Sequence, residues 1–157
     1  MSLGEHFPPE ILRPRIEAAL KPGCVLRLEV KFHEVTKPKF LVLVAEDDPE
    51  YLTFIVNSEI NQFVQKRPAL LQCQVSIDAA NHAFLDHDSH VACDKIWPIK
   101  REDVIRALMA NPAGIKGKIS EDVRSQILAA VKFAKTIEND KKNRIIAALG
   151  SYDILKS

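Results

Sequence analysis

Five consecutive apolar residues, Phe40-Leu41-Val42-Leu43-Val44, constrain this chain more than any other feature. Such a run reads as a β-strand covered on both faces, so the fold must supply a layer on each side of it. The neighbouring segments carry the period-two signature of strands with one buried face. Val25, Leu26, Leu28, Val30 and Phe32 alternate against Arg27, Glu29 and Lys31, and residues 51–56 form the next apolar strand. Thr36-Lys37-Pro38-Lys39 reads as a break and Asp47-Asp48-Pro49 as a turn. Residues 71–77 and 90–99 read as two further strands. Short strands joined by tight turns favour an antiparallel sheet or half-barrel over βαβ units.

At both ends of the chain the period lengthens to that of helices. Pro8-Pro9 suits a helix start, Leu12, Ile16 and Leu20 form one apolar face, and Pro22-Gly23 stops it. Pro14 is expected near the first turn, where a missing donor costs little. Residues 100–110 place Val104, Ile105 and Leu108 on one face, and Pro112, Gly114 and Gly117 mark a loop. Ser120 is an N-cap, with Glu121 and Asp122 in the favoured first turn. Val123, Ile127 and Val131, with Ala130 and Ala134, continue the stripe. Asn139-Asp140 reads as a break, followed by a short helix over 141–149 ended by Gly150. The expected class is α+β with a mainly β core: a bent antiparallel, SH3-like barrel with an N-terminal helix and C-terminal helices.

The chain has 157 residues and a formal net charge of +1. It fits a single domain, 1–157, and carries no broad cationic field, so a polyanion would need a local patch. Three cysteines, Cys24, Cys73 and Cys93, are an odd number and far apart, which reads as reduced thiols in a cytoplasmic protein. No apolar run reaches the ~18 residues of a membrane helix, so no membrane partner is expected. Met1-Ser2-Leu3 looks like an expression remnant.

The order of motifs resembles the MazF/PemK (Kid-like) toxin family over residues 23–137. Lys37-Pro38 before Phe40 resembles that family's basic-Pro entry into its central strand. Ile55-Val56-Asn57-Ser58 resembles its strand end carrying a hydroxyl. Ala83-Phe84, Ser89-His90-Val91-Ala92-Cys93-Asp94, Ile96, Ile99 and Gly117-Lys118-Ile119-Ser120 follow in the family's order, ahead of an amphipathic helix over 123–137. Residues 138–157 form a helical extension with no counterpart.

The resemblance implies a homodimeric, metal-independent endoribonuclease that cleaves single-stranded RNA by 2′-hydroxyl attack and is neutralised by an antitoxin protein. No cofactor and no metal are implied. Such chemistry needs a base, an acid, and fixed charge where the phosphorane develops. By correspondence the catalytic residues are Lys37 at the phosphate, Ser58 orienting it and Asp94 in proton transfer. Lys39, His33 and Glu34 would contact RNA. Lys37 replaces the family's Arg, which keeps the charge but loses the bidentate fork. Ala92 replaces a basic residue. These departures leave open a second reading, a catalytically lapsed module that binds RNA or a protein partner through the same groove.

Each candidate also has a local explanation. Lys37 and Lys39 suit a solvated turn, Ser58 could cap residues 59–64, and Asp94 on a strand could pair with Lys95 or Arg101. His82, Asp86, His87, Asp88, Ser89 and His90 are dense in ligand types, but their spacing is no zinc framework. Trp97-Pro98, Phe63, Lys66 and Arg67 could form a stacking, basic surface for single-stranded nucleic acid. A third reading is a dimerisation domain using Leu128, Phe133 and Leu149.

Overall fold

The structure, a computed structural model, describes residues 8–156 and side chains through residue 150. The segment Met1-Ser2-Leu3 lies outside the described residues. Helix α1 (Pro9–Ala19) leads into strands β1 (Cys24–Phe32), β2 (Val35–Asp47) and β3 (Glu50–Asn57). Two single-turn helices, α2 (Gln62–Gln65) and α3 (Pro68–Leu71), precede β4 (Gln74–Ile77), β5 (Ser89–Ala92) and β6 (Trp97–Lys100). Then come α4 (Arg101–Ala110), a 3₁₀ turn (Pro112–Gly114), β7 (Ile115–Lys118), α5 (Glu121–Phe133) and α6 (Asn139–Lys156). The strands form one curled, wholly antiparallel sheet in the order β4-β5-β3-β2-β1-β7, with β6 also paired to β3. The α+β class and the bent sheet flanked by N- and C-terminal helices are therefore as expected.

The apolar run of β2 is what separates two cores. Val42 and Val44 face Phe54 and Val56 of β3 together with Ile127 and Val131 of α5 and Ile145 and Leu149 of α6. Leu41 and Leu43 face the opposite way, onto Leu12 and Ile16 of α1 and Val104, Ile105 and Leu108 of α4. Alternation of side chains across a strand makes this division automatic. Each fully buried Val or Leu contributes roughly 1.5–3 kcal/mol, so this strand is stabilised from both sides. Asp47 anchors α6 to the end of β2, accepting from Lys141 Nζ at 2.7 Å and lying 3.3 Å from Arg144 Nε. The bond from Lys141 holds the Asp47 carboxyl below the usual carboxylate range.

Several boundaries differ from expectation. Residues 36–39 are not a break but the first part of β2, because the chain reverses at His33-Glu34, with Phe32 opposite Val35. Pro38 is tolerated there because β2 pairs with β3 only from Phe40 onward, leaving one side of the strand free. Residues 71–77 divide into the end of α3 and β4. Pro14 sits inside α1 rather than in its first turn. The segment 115–118, read as loop, is β7 and pairs with β1. Asn139 begins α6 instead of interrupting a helix, and Gly150 does not end it. Leu149 is fully buried and Leu128 packs against the same core, so neither is an open dimer contact; Phe133 is exposed.

Residues 90–99 form two strands, not one. Val91 and Thr53's partner Trp97 both lie along β3, yet residues 92–96 span what Phe54 and Ile55 span on that strand. The surplus is expelled as a bulge, which places Asp94 in a loop and not on a strand.

Among the described residues, no helix is long and apolar enough to cross a membrane. Leu43→Ala should destabilise the fold by about 2–5 kcal/mol, whereas Val35→Ala on the uncovered part of the same strand should change it by less than about 0.5 kcal/mol. Urea unfolding of both variants checks this; equal losses would contradict the two-sided burial of β2.

Candidate functional site

Beyond the point where α1 and α4 stop covering the sheet, β2 continues bare. Lys37 and Lys39 occupy the same face as Leu41 and Leu43, so they emerge where the apolar layer ends. They line a groove of about 780 Å³. One wall is the β1–β2 turn with His33, Glu34 and Val35; the other is Glu59, Ile60, Asn61 and Val64. Phe32, Ile55 and Trp97 contribute apolar surface, and Gln74, Asp94 and Lys95 close one end.

Five of the six expected site residues thus share this groove: Lys37, Asp94, Lys39, His33 and Glu34. Ser58 does not. It lines a neighbouring small pocket of about 150 Å³ with Arg27, Phe40, Val56 and Leu85, and Lys39 lines both. β3 ends at Asn57, so Ser58 lies just past the strand, while Ile55 and Asn57 alternate onto the groove face. The position in the groove belongs to Asn57, whose Oδ1 accepts from Lys39 Nζ at 2.9 Å. Ser58 is not a helix cap either; Asn61 caps α2, accepting from Val64 N at 2.9 Å.

Asp94 is held by its loop from two directions. Gln74 Nε2 donates to Asp94 Oδ1 at 2.8 Å, and Thr136 Oγ1 donates to its backbone carbonyl. The expected ion pairs are not formed: Arg101 binds Asp48, and Lys95 lies 5.7 Å from the Trp97 ring centroid. Trp97 itself tilts against Phe32 at 5.1 Å, and its carbonyl accepts from Thr53 Oγ1 at 2.6 Å. The aromatic pair gives the groove a rigid apolar floor.

Electrostatically the groove is mixed. Lys37, Lys39 and Lys95 face Glu34, Glu59 and Asp94, with His33 at the rim. Partial burial, and then the charge of Lys37, lower the Lys39 pKa from the ordinary lysine value. His33 has φ of 48°, in the left-handed region that non-glycine residues seldom occupy. Backbone outliers of this kind cluster at functional sites.

The histidine- and aspartate-rich segment near β5 is dispersed by the fold. His82 is buried; its Nε2 accepts from Ser120 N at 3.0 Å and its Nδ1 lies 2.8 Å from the Asp78 carbonyl. The ring therefore ties this loop to the start of α5, where Ser120 also caps Val123 N at 3.2 Å. Asp88 accepts from Ala79 N. Among the described residues, no group of three or more His, Cys, Asp or Glu side chains is arranged to hold a metal ion. Cys24, Cys73 and Cys93 are buried free thiols; burial pushes Cys24 up to about 11 and Cys93 well above its ordinary value. None is a ready thiolate nucleophile.

Neither a protein-family model nor a curated protein sequence matches the chain. Among solved structures it is similar to the MazE-MazF (Form-III) structure from Deinococcus radiodurans, at 11% identity and a TM-score of 0.47, over 71% of this chain and 91% of that one.

Removing the charge of Lys37 should raise the Lys39 pKa toward the ordinary lysine value, with burial preventing full recovery. A titration of the lysine side-chain NMR signals in Lys37→Ala checks the sign; a further fall would contradict the geometry.

Proposed function

We propose that the groove binds single-stranded RNA and cleaves it without a metal ion, as the resemblance to MazF/PemK toxins implies. The observation that carries this reading is the meeting of Lys37, Lys39, His33 and Asp94, from two separate segments of the chain, around an apolar floor. In the proposed reaction the Asp94 carboxylate takes the proton of a ribose 2′-hydroxyl. The oxygen attacks the adjacent phosphorus, Lys37 stabilises the growing negative charge, and the P–O5′ bond breaks. The departing 5′-oxygen takes a proton from a ring nitrogen of His33. The products are a 2′,3′-cyclic phosphate and a 5′-hydroxyl, and no oxidant or co-reactant is needed. Lys39, held by Asn57, and Glu34 contact the strand beside the scissile bond. A homodimeric state, a cytoplasmic setting and an antitoxin protein as partner belong to the same reading.

A second reading is favoured by two specific observations: Ser58 does not line the groove, and Asp94 is already bonded to Gln74. A groove that lost its chemistry would bind RNA and leave it intact.

Incubation with a long single-stranded RNA in EDTA separates the two. Cleavage with cyclic-phosphate ends supports the first reading, and retention without cleavage supports the second. Under the first, Asp94→Asn should lower the rate by roughly 100-fold or more, and Lys37→Ala should impair cleavage as well. Ser58→Ala should leave the rate within about 3-fold. A large loss in Ser58→Ala with Asp94→Asn unaffected would overturn this assignment.

A further inference from the structure

One wall of the groove carries a feature that the proposed chemistry does not use. Phe63 lies on α2 with 59% of its surface exposed, although the neighbouring Val64 is buried and lines the groove. Arg67 sits directly above it. Its guanidinium carbon is 3.5 Å from the ring centroid, and its Nη1 donates to the Phe63 carbonyl at 2.9 Å. That bond helps to hold the guanidinium over the ring. Even with Arg67 stacked on it, the ring keeps most of its surface open to solvent.

We infer that Phe63 and Arg67 form a stacking platform for a base of the RNA strand as it leaves the groove. This rests on the proposal that the groove binds RNA and adds a second contact point to it. Three features select a nucleic-acid strand as the occupant. An aromatic ring and a guanidinium are both flat surfaces on which any base stacks, and the cation reinforces the ring. Lys66 and Arg67 add positive charge beside the platform, where a phosphate backbone would pass. Finally, the platform neighbours the groove along the chain: Ile60, Asn61 and Val64 of the same short segment line it, although Phe63 and Arg67 do not. Stacking of this kind tolerates any base, so the platform would add affinity and direction rather than sequence choice.

The test uses full-length protein and uncleavable 2′-O-methyl RNA in two lengths: a dinucleotide, which reaches the groove alone, and an oligomer of about 12 nucleotides. Binding is read by fluorescence anisotropy. Phe63→Ala should weaken the longer RNA about 5-fold or more and leave the dinucleotide unchanged. Phe63→Trp should hold or tighten binding of the longer RNA, which separates stacking from a general loss of structure. Arg67→Lys, which keeps charge and loses the plane, should weaken it as well. Equal binding of the longer RNA by the wild type and Phe63→Ala overturns the platform while leaving the groove reading intact. An equal loss for both lengths also overturns it, since the effect would then arise in the groove. Failure of the wild type to bind either RNA would remove the groove reading and the platform together. Binding of an acidic peptide in place of RNA, weakened by the same variants, would assign the surface to a different partner and overturn the proposal.

Discussion

A strand that is apolar on both sides has to be sandwiched, and this requirement organises the molecule. Leu41 and Leu43 demand the α1–α4 layer, while Val42 and Val44 demand the α5–α6 layer. Neither helical pair could be removed without exposing half of the central strand. The candidate site is a by-product of where one of these layers ends. β2 runs several residues past the helices, and there the positions that were leucine become lysine.

The uncovered stretch is chemically unlike the rest of the sheet. It brings side chains from the first hairpin, the end of β3 and the loop after β5 around a common apolar floor, though these are far apart in sequence. The charges nearly balance, in keeping with a chain whose net charge is +1. Attraction of a polyanion would therefore depend on local placement of Lys37, Lys39 and Lys95 and not on a long-range field. The fixed aspartate and the half-buried lysine are of the kind that proton transfer and phosphate binding require, and the Asn57 amide organises one of them.

Much of this was legible in the sequence wherever burial imposed a period. The alternation in 25–32, the doubly apolar run at 40–44 and the helical stripes of α1, α4 and α5 all correspond to observed faces, and Ser120 does cap its helix. The sequence was opaque where tertiary pairing overrides local preference. Ile115-Lys116-Gly117-Lys118 has no strand pattern and becomes β7 only because the edge of β1 needs a partner. Gly150 is a poor helix former, yet Ile145 and Leu149 beneath it hold α6 in place. The bulge after β5 could not be seen because both flanking segments look like one continuous strand. Ser58 illustrates how sharply such errors act at a site. It is one residue from Asn57, yet it lies just past the end of β3, beside Phe40 and Val56 and outside the groove's lining. Alternation from Ile55 was the signal that would have selected Asn57.

The bulge that carries Asp94 has a consequence for how such a protein can change over generations. Residues 92–96 are surplus to the ladder but not to the core: Cys93 is fully buried, its N–H donates to the Cys73 carbonyl at 2.9 Å, and Ile96 packs against the same cluster. Lengthening or shortening the loop at Asp94 and Lys95 would move the carboxylate toward or away from the lysines, whereas a change at Cys93 or Ile96 would be felt in the core. The reach of the acidic group is thereby tied to its immediate neighbours, which anchor the loop that carries it.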